Sequence, residues 1–157
     1  MRAFIIIFLL VSMAGGIEEN NSSQEIAALQ EILNSYHFIY KPQIDVFDCV
    51  DMSVANYNFL KSLGYETLIT IVEDGSMLNG THLGHCMALV RLSGGWAGVE
   101  TKQPVIDTNQ SIGKVIGIKP DFIRGIYRTP EEVYAQDRRA PPSITGNVIE
   151  RNHPKAL

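Results

Sequence analysis

Three residues in the middle of the chain have types and spacings that could support nucleophilic catalysis. Cys49 follows Asp48 at the predicted start of a helix. The free N–H groups and the dipole at a helix N-terminus stabilise negative charge. This position favours the thiolate, the nucleophilic form of cysteine. A cysteine is also a common small core residue, so Cys49 alone is a weak indication of catalysis.

His85 and Glu100 could supply a base and a group that orients the base. The sequence predicts a hairpin whose two-residue loop is Ser93-Gly94, with His85 at the start of its first strand. Met87 would then pair with Glu100, so His85 and Glu100 would share one face as diagonal neighbours. A carboxylate on the second imidazole nitrogen fixes the tautomer of a catalytic histidine. Taken one at a time, His85 could be an ordinary surface or capping histidine, and Glu100 could be a solvated strand residue.

Neighbouring polar residues leave other interpretations open. Gln43 could donate a hydrogen bond to an oxyanion hole, or it could be a loop glutamine with no role. Cys86 has the opposite strand parity to His85 and is predicted to be a core residue, although Cys49 and Cys86 could also form one disulfide. A zinc site from these two cysteines with His82 and His85 is disfavoured, because His-x-x-His-Cys lacks a usual ligand spacing. The sequence therefore predicts no metal ion and no cofactor.

The elements that would position these residues are predicted from periodicity, capping and turn residues. Helices are predicted over residues 23–34 and 48–63, and a short one begins at Thr129-Pro130. Strands are predicted over 65–72, 85–92 and 96–101, with further strands or edges at 111–119 and 122–127. Residues 36–47 and 73–84 are predicted to be loops. Two helices followed by an antiparallel meander indicate an α+β fold with a helix packed on the sheet.

Length and charge limit the classes of function. The chain has 157 residues, which suits one domain, and 45% of its residues are hydrophobic. Its formal net charge is −4, and its pI is about 5.5. Nucleic-acid binding needs a clustered positive field, so a nucleic-acid partner is disfavoured.

The N-terminal segment is typical of export. Residues 3–14 are almost wholly apolar, follow Arg2 and end in Ser12-x-Ala14. This pattern is that of a signal peptide, and the run is shorter than the ~20 residues of a spanning helix. We expect a signal peptide at 1–14 (or an uncleaved anchor giving membrane association), a linker at 15–22, a domain at 23–140 and an irregular tail at 141–157. The protein would then be secreted or associated with the cell envelope.

Four segments between about residues 44 and 101 resemble the transglutaminase-like domains of the papain-like thiol enzymes, especially small archaeal and bacterial envelope members. They are Phe47-Asp-Cys49-Val-Asp-Met-Ser53-Val-Ala55, Leu60-Lys-Ser-Leu-Gly-Tyr65, Gly84-His85-Cys-Met-Ala-Leu-Val and Gly95-Trp96-Ala-Gly-Val-Glu100-Thr101. Two departures are Cys86, where many members have Ala, and Glu100, where Asp is usual.

The resemblance implies a papain-like core and a triad of Cys49, His85 and Glu100. Such a triad would hydrolyse or transfer the acyl group of an amide in a peptide or protein substrate. The alternative is a catalytically inactive binding or structural domain on the same fold, because a fold does not guarantee activity.

Overall fold

A computed structural model describes residues 22–41, 43, 46–78, 81–101, 111–137, 140–141 and 147–152, with the side chains of 74–83 left undescribed. The predicted signal peptide and nearly all of the linker lie outside these residues. Among the described helices, none is long and apolar enough to cross a membrane.

The described chain combines three α-helices and seven strands in an α+β arrangement. Helix α1 covers residues 22–34. The other elements are β1 (Tyr36–Phe38), α2 (Cys49–Ser62), β2 (Thr67–Leu78), β3 (Thr81–Leu92), β4 (Gly95–Glu100), β5 (Lys114–Gly117), a 3₁₀ turn (Pro120–Phe122), β6 (Ile123–Tyr127), α3 (Pro130–Asp137) and β7 (Ile149–Arg151).

The larger sheet is antiparallel and has the strand order β5-β4-β3-β2-β6. Strands β2 to β5 form the predicted meander, and β6 returns to pair with β2. The two-residue hairpin loop is confirmed, because Leu92 pairs with Gly95 and Ala88 pairs with Val99. Gly95 has a φ of +124°, a backbone conformation that residues with a Cβ rarely adopt. The turn therefore fixes which β4 residues share a face with His85.

Helix α2 is the central element of the core. It packs against β3 and β2, and residues on several of its sides are buried, including Val50, Ala55, Tyr57 and Leu60. A helix that is apolar around much of its circumference is usually covered on several sides. It ends in a Schellman motif, in which Gly64 has a φ of +89° and the Tyr65 N–H donates to the Leu60 carbonyl.

Three sequence predictions are wrong about irregular structure. Within the predicted loop at 73–84, residues 73–78 and 81–84 instead continue β2 and β3, with a register shift between Glu73 and Met77. The predicted loop at 36–47 contains β1. The predicted irregular tail contains β7, which pairs antiparallel with β1 (Tyr36 opposite Arg151), so the folded unit extends past residue 140. In each case tertiary pairing supplies the backbone partners that local sequence does not reveal.

Candidate functional site

The first turn of α2 is held by a capping box in front of Cys49. The N-cap Asp48 accepts a hydrogen bond from the Val50 N–H at 2.9 Å through Oδ1. Asp51 Oδ2 accepts one from the Asp48 N–H at 3.1 Å. Two acidic side chains thereby satisfy donors at the helix start and fix the direction in which the first turn leaves the loop.

A second contact anchors the capping box from α3. The Tyr134 hydroxyl donates to Asp51 Oδ1 at 2.9 Å, and both residues are at least 93% buried. A buried carboxylate needs hydrogen-bond partners because its desolvation is unfavourable. Sequence reasoning missed this pair. The spacing Asp48-x-x-Asp51 could have indicated the capping box, whereas nothing local points to Tyr134.

His85 and Glu100 are brought together as the predicted register requires. His85 Nε2 lies 2.5 Å from Glu100 Oε1, and the exposed fractions of the two side chains are 7% and 22%. His85 does not begin its strand, as the sequence predicted, but lies inside β3 opposite Val72. The pairing of two strands therefore holds its backbone in place.

The third candidate, Cys49, is close enough to His85 to influence the pKa of the imidazole. Because Nε2 faces Glu100, Nδ1 is the ring nitrogen left for the thiol. Burial alone would lower the pKa of His85, but hydrogen bonds to Cys49 and Glu100 and their negative charges raise it to about 9. The imidazolium form therefore predominates at neutral pH, between a carboxylate and a thiol.

The second thiol lies on the other side of β3. Cys86 is 1% exposed and belongs to the core cluster, as its strand parity predicted. Burial raises the pKa of the Cys86 thiol, which hydrogen-bonds to Ser53. The Ser53 hydroxyl also lies 2.6 Å from the Cys49 carbonyl and donates to it. Cys49 and Cys86 are both free thiols, so the disulfide that the sequence allowed is not formed.

The remaining candidate residues from the sequence are Gln43 and His82. Gln43 is exposed, and its backbone pairs with Phe47 in the segment that leads into Cys49. His82 lies in β3, where only the backbone is described. Within the described part of the chain, no group of three or more acidic, histidine or cysteine side chains could hold a metal ion.

A cleft of about 320 Å³ lies beside the histidine–carboxylate pair and is open to solvent. His85 and Glu100 form one part of its wall. The rest is mainly apolar and comes from β2, β3, β5 and the segment after β5, with lining residues that include Val72, Met87, Ile116, Ile118 and Phe122. Its volume falls in the range of small-molecule sites, which begins at about 300 Å³.

A larger cavity, of about 560 Å³, lies between α2 and α3 on the other side of the capping box. Asp51, Tyr57, Lys61 and Tyr134 contribute its polar lining, and Cys49, His85 and Glu100 do not line it. The larger of these two cavities is therefore not the one that adjoins the candidate catalytic residues.

Comparison with known proteins adds no relative: no family model matches the chain, and neither a curated protein nor a solved structure matches it. The arrangement of Cys49, His85 and Glu100 is therefore the basis for a functional proposal.

Proposed function

We propose that this protein is a thiol-dependent hydrolase or acyltransferase that acts on amide bonds, on a papain-like core of the transglutaminase-like type. The observation that carries the proposal is the contact of His85 with Glu100, with Cys49 close enough to raise the pKa of the same histidine. A nucleophile, a base within hydrogen-bond reach and a carboxylate that orients the base are the parts of a nucleophilic triad.

In the first half of the reaction, the Cys49 thiolate attacks the amide carbonyl carbon and a sulfur–carbon bond forms. The carbon–nitrogen bond then breaks, and the leaving amine takes the proton from the His85 imidazolium. Glu100 keeps the imidazole ring oriented and stabilises its positive charge. The Val50 N–H is engaged by Asp48, so we assign the backbone oxyanion donor to the N–H of Cys49.

In the second half, neutral His85 takes a proton from water as the water attacks the thioester. The sulfur–carbon bond breaks, which regenerates the thiolate–imidazolium pair and releases a carboxylic acid. An amine in place of water would give acyl transfer. The peptide or protein substrate and the exported location are part of the same proposal, since a signal peptide at 1–14 would deliver the enzyme outside the cell.

The proposal is tested by incubating the full chain with a pool of synthetic peptides and identifying new termini by mass spectrometry. We expect cleavage or transamidation by the wild type and by Cys86→Ala, because Cys86 lies in the core on the other face of β3. Cys49→Ala should be inactive. Activity that survives in Cys49→Ala would contradict the proposal, and an inactive wild type would favour the non-catalytic binding domain.

A further inference from the structure

The apolar cleft next to His85 gives the proposed enzyme a basis for choosing its substrates. In thiol-dependent amide cleavage, the histidine that protonates the leaving amine must lie within hydrogen-bond reach of that nitrogen. The group attached to the nitrogen therefore lies on the histidine side of the bond. The cleft adjoins this histidine, since His85 and Glu100 are part of its wall, whereas Cys49 is not among the lining residues.

We propose that this cleft binds an apolar side chain on the amine side of the scissile amide, so that the preferred substrates carry an aliphatic or aromatic residue directly after the bond. This inference rests on the proposed function. Its chemical basis is the lining, in which Val72, Met87, Ile116, Ile118 and Phe122 supply apolar surface.

The charges in the cleft agree with an apolar occupant. Its two carboxylates both have cationic partners, since Glu100 contacts His85 and Glu73 forms a salt bridge with Arg124. An incoming ammonium group would have to compete with these partners. Its lining lysine, Lys119, has its Nζ over the Phe122 ring, 6.0 Å from the ring centre. An apolar group in the cleft would have its surface removed from water, which is favourable.

The cleft wall is closely packed next to the reacting groups. Gly98 lies opposite Leu89 in the β3–β4 pair, and a Cβ on it would come within 2.9 Å of both the Met87 sulfur and Ile118 Cδ1. These two side chains are thus brought together over the glycine. Met87 is 5% exposed and lies two residues from His85 on the same strand face, so its methyl group can report on occupancy.

The first test is binding in the full chain carrying Cys49→Ala and ¹³C-methyl methionine, with Met87 assigned by Met87→Leu. We expect leucinamide and phenylalaninamide, which mimic the leaving amine, to shift the Met87 methyl resonance saturably, and glycinamide to leave it unmoved. Ile118→Ala should weaken this binding about tenfold. The matched variant Ile126→Ala removes an exposed isoleucine outside the cleft and should bind normally. A Met87 signal that is unmoved by the apolar amides, or moved equally by glycinamide, would overturn the inference.

The second test reads the residue after each bond cut in the peptide pool. We expect leucine, isoleucine, methionine and phenylalanine to be enriched there in the wild type, and the enrichment to be lost in Ile118→Ala. Cleavage without this preference would overturn the subsite while leaving the thiol chemistry intact. Saturable shifts of Met87 in a protein that cuts nothing would overturn the proposed function and leave the apolar subsite standing.

Discussion

His85 has surroundings unlike those of an ordinary surface histidine. It is nearly buried, yet its pKa is raised to about 9 because hydrogen bonds and negative charge outweigh the cost of burial. A buried imidazolium is favourable only while its partners remain in place. The protonation of His85 therefore reports directly on Glu100 and Cys49.

The first prediction concerns the carboxylate. Glu100→Gln keeps the side-chain shape but removes the negative charge, so the pKa of His85 should fall well below about 9. The measurement is an NMR titration of the His85 ring protons in the wild type and the variant. Glu73→Gln is the matched control, since Glu73 also lines the cleft but pairs with Arg124. Equal shifts in the two variants would mean that Glu100 has no special relation to the ring.

At the scale of elements, α2 and the β3–β4 hairpin place the reacting groups, and both were predictable from sequence. The residues next to Asp48 indicate that it is a helix N-cap. The three residues Ser93-Gly94-Gly95 indicate the hairpin turn. The face shared by His85 and Glu100 follows from the turn length. These features could be predicted from the sequence because each depends on residues close together in the chain.

Other features were not predictable because they depend on distant partners or on pairing that the residue pattern does not indicate. Strand β1 exists because β7 pairs with it, and the two are separated by nearly the whole domain. The segment 73–84 is polar and lacks the alternation that indicates a strand, but pairing within the hairpin keeps residues 73–78 and 81–84 extended. The Asp51–Tyr134 contact likewise joins α2 to a helix late in the chain. The cleft draws on four strands or their flanking segments, so no single segment indicates it.

The second prediction tests the anchoring of the α2 start. Tyr134→Phe removes a hydrogen bond to a buried carboxylate and should lower the free energy of unfolding by about 1.5–3 kcal/mol. Urea denaturation measures the change. Tyr57→Phe is the matched control: its hydroxyl donates to the Arg128 carbonyl at 2.7 Å and accepts from Lys61 Nζ at 3.0 Å, away from the cap. Its loss should cost about 1 kcal/mol. Only Tyr134→Phe should also slow alkylation of Cys49, because it alone loosens the capping box.

At the scale of the whole molecule, the protonation of His85 is linked to the stability of the fold. The pKa of His85 is raised from 6.5 in its reference state to about 9 in the fold. The protonated form of His85 therefore stabilises the folded state. This stabilisation is fully present below about pH 6.5 and is lost as the pH rises through about 9. Its size is on the order of 3 kcal/mol, since one pKa unit corresponds to about 1.4 kcal/mol.

The third prediction follows from this linkage. Urea denaturation of the wild type from about pH 6 to pH 9.5 should show falling stability, and Glu100→Gln should show a shallower fall. Comparing the two proteins cancels the contribution of Cys86, whose buried thiol also makes the fold less stable at alkaline pH. Parallel stability curves would show that the charge of Glu100 is not coupled to folding through His85.

The measurement that most directly tests the central claim is the rate of Cys49 alkylation by iodoacetamide against pH, followed by mass spectrometry so that Cys86 is scored separately. A free cysteine has a pKa of about 8.5, so its alkylation is slow near pH 6.5. We predict that Cys49 in the wild type reacts rapidly at that pH and that His85→Ala slows it sharply. The double variant with Glu100→Gln should lose little more, because triad members act as a unit. A wild-type profile that follows the free-cysteine curve and is unmoved by His85→Ala would contradict the account.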